Sequence, residues 1–465
     1  MNYLSIKSFV VLAFFIAALL FTPANLSARS QPVITGGDPC PDCVPNEVLF
    51  ELAPGNDIAA IATQYGLDPS PLGLVGTPAT YRMLITNGNT PSQVIAAMQG
   101  DARISKIEVN RKFSTVERSG LPWTQGHSWA IGHSWAIGGS SKAYKRNWFQ
   151  RKIRLKEAHQ ISKGAGVTVA VIDTGIDLDH PAFEGRLVPG FDFVDNDNDP
   201  SEVGQFYTNP VYGHGTHVAG IVALTAPDAK IMPIRVLDES GEGELWRIAQ
   251  AVIFAAENGA DIINLSIGYP DNADFLEDII EACDDGMTLD GKTISQLSDI
   301  TVVSGAGNGG NSDRIYPAGN RMSPQLGVGA STKTDQLATF STMSSETGED
   351  PRFIRSVAPG VGIISAIPNG RYAAWNGTSM ASPIAAGIAA LIKSNEPSLN
   401  PEQIVNRIDD TGIPWEFVRP VSPSNPAAYP VRTSRLDAVC ALNAIIDCGV
   451  PEDAAARKPN RTIKK

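Results

Sequence analysis

From Val167 onward the chain alternates two kinds of segment. Strand-length apolar runs at Val167 to Ile172, Lys230 to Val236, Asp261 to Ile267 and Ile300 to Ser304 each precede or follow a helical pattern. Neighbouring parallel strands need a long crossover, and a helix is its compact solution. The alternation therefore predicts an α/β unit: a mainly parallel sheet with helices on both faces. A helix predicted over Glu244 to Asn258 stops at Gly259, a residue type that tolerates a left-handed cap. Ligands of such sheets sit beyond the carboxyl ends of the strands, where Asp173 and the turn Gly305 to Asn308 fall.

Three Gly-rich windows sit beside these elements: VIDTGID around Asp173, GHGTHVAG around His214 and NGTSMASP around Ser379. Asp173 closes an apolar strand and is followed at once by Thr174 and Gly175, so its carboxylate lies at the rim of a rigid core. His214 stands between two glycines before a helical stretch, His217 to Leu224. Ser379 precedes an Ala-rich helix, Ser382 to Ile392, with Pro383 tolerated in its first turn. A carboxylate that orients an imidazole, an imidazole that takes a proton and a hydroxyl near unpaired backbone donors are the parts that make serine a nucleophile. Taken singly, each has a bland reading: a strand-end cap, a structural histidine, a helix cap. Their presence in one chain favours hydrolysis of peptide bonds. Asn308 ends SGAGN directly after a strand, and a fixed amide there can receive the negative charge of a tetrahedral intermediate. His217, three residues after His214, is read as structural, since the H-E-x-x-H spacing of a metal pair is absent.

These windows resemble those of the subtilisin-like serine proteases, the subtilases. The similarity covers about Lys152 to Ala444, and the order Asp, His, Ser separates it from chymotrypsin-like and α/β-hydrolase arrangements. The resemblance implies a serine endopeptidase acting on protein or peptide substrates through an acyl-enzyme, with Asp173, His214 and Ser379 as the triad and Asn308 as the oxyanion residue. It implies that Ser266, Ile267 and Gly268 pair with substrate backbone, and that Ile315 lies at the base of the primary pocket and favours small or medium apolar side chains. No cofactor is required for that chemistry. Calcium is admitted only as a structural ion: Ala223 to Lys230 lacks the loop of a tight site, while Asp195, Asp197 and Asp199 resemble a weaker calcium loop or, equally, form a solvated acidic turn. No metal-ligating residue is assigned.

The remaining sequence sets the organisation. At 465 residues with 43% hydrophobic content the chain can bury a large core and carry a second small domain. Lys7 followed by a 13-residue apolar run, Phe9 to Phe21, and small residues through Ala24 and Ala28 reads as a signal peptide over 1–28, too short for the roughly 20 residues of a membrane span. A secreted protein, extracellular or periplasmic, without a stable membrane anchor is expected. Residues 44–116 read as a small α+β unit: strand Glu47 to Leu52, helix Ile58 to Tyr65, strand Tyr81 to Ile85, a helix opened by a Thr90, Pro91, Gln93 capping box, and a strand from Ile104 to Val109. Two readings stand for it, an independent binding module and an inhibitory prodomain. The family resemblance implies the second, a ferredoxin-like prodomain acting as intramolecular inhibitor until cut. Residues 117–151, with a duplicated HSWAIG, are expected to be a linker containing the processing site, 152–450 the catalytic domain, and 451–465 a polar tail.

A net charge of -12 with scattered basic residues excludes a nucleic-acid face. A monomer is expected. The five cysteines leave at least one unpaired. Cys40 and Cys43 form either a local disulfide or free thiols, and Cys440 can pair with Cys448 only if a helix ends between them. Two rival functions remain: a maturation protease for one secreted partner, and a non-catalytic extracellular binding protein on a protease scaffold.

Overall fold

The computed structural model describes residues 40–75, 79–116, 139–206, 208–209, 211–285, 287–289, 292–294, 299–320, 325–344, 353–354, 356–419 and 429–445. The expected signal peptide, the duplicated HSWAIG segment and the polar tail lie outside them.

The N-terminal unit runs β1 (Glu47–Leu52), α1 (Ile58–Tyr65), β2 (Gly73–Val75), β3 (Thr80–Leu84), α2 (Pro91–Met98) and β4 (Ile104–Glu108). Its strands pair antiparallel in the order β2-β3-β1-β4, the β-α-β-β-α-β pattern of ferredoxin-like units. Thr90 caps α2 with the reciprocal bonds of a capping box to Gln93. Side chains alternate along β1: Val48 and Phe50 enter the unit's own core with Ile61, Met83 and Met98, while Leu49 points the other way. Cys40 and Cys43 are joined as a disulfide, and the buried Cys283 thiol donates to Ile279 O (3.5 Å). Cys440 is disulfide-bonded, and Cys448 lies outside the described residues.

A strand β5 (Lys112–Thr115) follows, then three short helices: α3 (Ser141–Tyr144), α4 (Trp148–Lys152) and α5 (Leu155–Ala158). Residues 139–151, the described part of the segment expected to be a linker over 117–151, therefore pack on the larger body. The Tyr144 hydroxyl donates to Gly220 O (2.6 Å), Asn147 Nδ2 to Ile364 O (2.7 Å) and Trp148 Nε1 to Val361 O (3.1 Å), and Phe149 is fully buried. The Gly, Ser and basic residues that suggested an open linker are interleaved with aromatic anchors, and the anchors decide the outcome.

The body continues β6 (Thr168–Asp173), β7 (Phe191–Asp192), α6 (His214–Thr225), β8 (Lys230–Arg235), β9 (Glu242–Glu244), α7 (Leu245–Glu257), β10 (Ile262–Leu265), β11 (Ile267–Gly268), α8 (Asp274–Asp285), β12 (Met287–Leu289), β13 (Lys292–Ile294), β14 (Thr301–Gly305), β15 (Gln325–Ser331), β16 (Ser356–Pro359), β17 (Ile363–Ile367), β18 (Arg371–Trp375), α9 (Thr378–Asn395), α10 (Pro401–Asp410), β19 (Ile413–Arg419), β20 (Tyr429–Arg435) and α11 (Ala438–Asn443). Its main sheet has the order β19-β20-β16-β15-β14-β10-β6-β8-β7, with only the β19–β20 pair antiparallel. Both faces are covered, so the central strands are apolar throughout. Val169 and Val171 of β6 pack with α6 and α9 on one face, and Ala170 and Ile172 pack with α7 and α8 on the other. Among the described residues, no helix is long and apolar enough to cross a membrane.

Candidate active site

Asp173 and His214 are brought together by two glycines. Gly213 adopts φ +97°, open to glycine at little cost, and lets the chain turn into α6 at His214. A Cβ on Gly215 would stand 2.1 Å from Gly175 O, so only glycine lets the first turn of α6 approach the turn that follows Asp173. The helix begins at His214 itself, three residues earlier than the periodicity suggests. Both side chains are buried, and the His214 Nδ1–H donates to Asp173 Oδ1 at 2.7 Å. That bond leaves the lone pair on Nε2, the nitrogen a general base uses. Asp173 Oδ1 also accepts from Thr174 N (2.8 Å), while Oδ2 has no hydrogen-bond partner among the described residues. Little protein dipole then competes with the imidazole for this charge.

Ser379 lies in the first turn of α9, which starts at Thr378 and so includes the stretch before Ser382. Its hydroxyl is 3.5 Å from Ser266 O, and Ser266 Oγ lies 3.4 Å from Ser379 O. Asn308 faces the same helix start. Its Oδ1 accepts from Thr378 N (3.0 Å) and Thr378 Oγ1 (3.2 Å), and Thr378 Oγ1 accepts from Gly307 N (3.1 Å). With the carbonyl end of the amide anchored this way, the NH2 end is the donor available to a developing oxyanion.

Beside these groups runs a groove whose occupant the sequence did not reveal. Strand β5 lies antiparallel between β9 and β11: Ser114 is opposite Glu242 and Gly268, Phe113 opposite Gly243, and Thr115 opposite Ile267. Thr115 N donates to Gly241 O (3.3 Å) and Val116 N to Ser266 O (3.4 Å). Val116 thus shares the Ser266 carbonyl with the Ser379 hydroxyl. A Cβ on Gly268 would lie 2.3 Å from Ile315 Cγ2 and 3.0 Å from Val116 Cγ1, which puts Val116 and Ile315 both against Gly268. Phe113 is buried with Leu237, Leu245 and Tyr269 around it in the same core. Ser266, Ile267 and Gly268 therefore meet an extended peptide, and β9 adds a second wall, with Gly241 just before it and Gly243 within it.

His217 does not join this cluster. It is buried, stacks on Trp375 at 4.4 Å between ring centres, and Nε2 donates to Ala373 O (3.2 Å). Burial pulls its pKa down to about 3, so it stays neutral. Of the acidic loop, Asp195 pairs with Arg235 Nη1 (2.6 Å), which also binds Asp192 (2.6 Å). Asp197 accepts from Asp199 N and Asp199 from Ser201. The three carboxylates face different partners and a guanidinium already supplies the cation, so this set does not fit calcium. Among the described residues, no group of three or more His, Cys, Asp or Glu side chains could hold a metal ion.

Residues 164–422, more than half of the chain, match the family described as the subtilase family. The chain belongs to it. It is 38% identical over 279 residues to a thermophilic serine proteinase of Bacillus sp. (strain AK1), an alignment covering 56% of this chain and 62% of that protein. It is 34% identical over 286 residues to thermitase of Thermoactinomyces vulgaris, covering 58% of this chain and 92% of thermitase. A solved cold-adapted subtilisin-like serine proteinase is 30% identical, with a TM-score of 0.47 over 60% of this chain and 90% of that one.

Proposed function

We propose that this subtilase is a secreted serine endopeptidase made as a self-processed zymogen. Ser379 attacks a peptide carbonyl, His214 takes the proton at Nε2 and returns it to the leaving amine, and Asp173 holds the imidazole and balances its positive charge. The Asn308 amide and backbone N–H groups stabilise the oxyanion, and the acyl-enzyme is then hydrolysed. The 44–116 unit serves as inhibitory prodomain.

The observation that carries this reading is β5. An extended segment held on both edges by main-chain bonds, with the residue that follows it, Val116, bonded to the carbonyl that the Ser379 hydroxyl approaches, is bound as a substrate would be. Strand pairing reads the backbone and leaves specificity to the pockets, so the site accepts polypeptides in extended form. The side chains it holds are Phe113 in a large apolar pocket and Val116 in a small one limited by Ile315. The processed bond is then the one following Val116. A fluorophosphonate probe tests the reading: it should label Ser379 of the purified protein, and a peptide ending Phe-Ser-Thr-Val before its scissile bond should be cut there. Lack of labelling in folded protein would contradict the proposal.

A further inference from the structure

One carboxylate bridges the two elements that carry Asp173 and His214, yet it touches neither reacting side chain. Glu202 lies in the segment between β7 and α6, and its backbone is tied to the turn after Asp173: Glu202 N donates to Ile176 O (3.2 Å) and Ile176 N to Pro200 O (3.0 Å). Its side chain collects four donors. Oε1 accepts from Thr174 Oγ1 (2.5 Å) and Gly213 N (2.9 Å), and Oε2 from Thr216 Oγ1 (2.6 Å) and Thr216 N (3.0 Å). Thr174 Oγ1 in turn accepts from Gly215 N (2.9 Å), and Thr216 Oγ1 from Asp177 N (2.9 Å).

The bonded residues are the neighbour of Asp173 and residues immediately before and just after His214. Gly213, the N-cap residue of α6, makes no side-chain cap bond, and both residues flanking His214 are glycines. The Asp173 bond and burial hold the ring, and the glycine backbone on either side of it takes its position from contacts made from outside. Glu202 supplies one such contact: burial pushes its pKa up to about 7, while its bonds to Thr174, Thr216 and Gly213 and the positive end of the helix favour the ionised form. Only an ionised carboxyl accepts at all four points; glutamine would turn one pair of donors toward an NH2 group.

We infer that Glu202 is a positioning residue: it fixes the distance between the strand end bearing Asp173 and the helix start bearing His214, and so sets how well His214 serves Ser379. The inference rests on the catalytic reading above. Misplacement of reacting groups by about 1 Å can cost on the order of a hundredfold in rate. Partial loss of the clamp in Glu202→Gln is therefore expected to slow both Ser379 phosphonylation and kcat by about tenfold or more, with KM on a Phe-Ser-Thr-Val amide within about twofold. Thr216→Val, which removes one hydroxyl donor, should act in the same direction but less. Added to Glu202→Gln, it should cost less than it does alone, because the two share one contact.

The experiment compares full-chain wild type, E202Q, T216V and the double variant by phosphonylation rate, kcat, KM and thermal unfolding. A slowed kcat with retained KM and non-additive variants supports the inference. Wild-type rates in E202Q, with or without a lower unfolding temperature, would make Glu202 a helix cap only and overturn it, as would an effect confined to KM or fully additive variants. Should E202Q fail to accumulate, T216V decides: an unchanged kcat there overturns it. If the wild type itself is not labelled, the catalytic reading has failed. If the wild type is labelled and E202Q matches it, only the positioning role has failed.

Discussion

The N-terminal unit and the body it lies on are built to different standards. The body has its own two-sided core, with each face of a nine-stranded sheet covered by helices. The N-terminal unit has a small core around Phe50 and Met83, of a size that leaves an isolated domain marginal. It places further apolar and polar groups on the body: Leu49 and Phe113 join the body's core, Asn110 Oδ1 accepts from Trp246 N (3.2 Å), Glu108 Oε1 accepts from Phe275 N (2.8 Å), and Lys106 pairs with Asp278. Asn110 and Glu108 thus satisfy orphan donors at the starts of α7 and α8. The body carries most of its core on its own elements, while the smaller unit adds to its own core through these contacts.

The largest expected effect removes the chemistry and leaves both regions in place. Ser379→Ala should lower turnover by about a millionfold, the magnitude known for loss of the nucleophile in a subtilisin, and should give a folded, uncut chain on a gel. Next, Asn308→Ala should reduce kcat by roughly 10² to 10³, again a subtilisin value, with the unit's hold on the groove little changed. Phe113→Ala sharpens the comparison from the other side. It empties a pocket in the body while altering the N-terminal strand, and at about 3–5 kcal/mol for a buried Phe it should weaken the inhibitory hold by at least a hundredfold in a titration of protease activity.

The two regions should also answer pH with opposite signs. Burial against the body raises the Glu108 pKa from 4.5 to about 7. The docked state therefore binds the proton more tightly than the free one, so docking strengthens as pH falls from 7 toward 4.5 and weakens as it rises through 7. Glu108→Gln should flatten that dependence in a binding measurement. His217 runs the other way. Its folded pKa of about 3 lies below the ordinary 6.5, so its contribution is full above 6.5 and is lost as pH falls toward 3. Thermal unfolding of the body between those limits should show this slope, and His217→Phe should reduce it. This is the smallest of the expected effects, since other buried groups titrate in the same range.

Much of this was legible in sequence because local rules and tertiary structure agree. The apolar run before Asp173, the glycines around His214 and the capping box at Thr90 each state their own geometry; β1 and α1 fall on the ranges their patterns give, and α2 starts where its capping box puts it. The elements that escaped depend on partners far along the chain. Lys112–Thr115 is half polar and becomes a strand only between Glu242–Glu244 and Ile267–Gly268, well over a hundred residues away. Gly73–Val75 is a three-residue edge strand with a glycine, and α3 to α5 are held by aromatic anchors rather than by helical periodicity. Glu202 carries no local signal, since its four donors come from the two windows on either side of it. The acidic run near Asp195, open between a calcium loop and a solvated turn, gave no local hint of Arg235, 40 residues on.

The most direct measurement is the intact mass and N-terminal sequence of the product made by the wild type and by Ser379→Ala. A wild-type product beginning at Glu117, with the variant retaining residues 44–116 in covalent linkage, is the expected result. Trimming of the purified variant at the same bond, or a wild-type chain that keeps its N-terminal unit uncut, would contradict it.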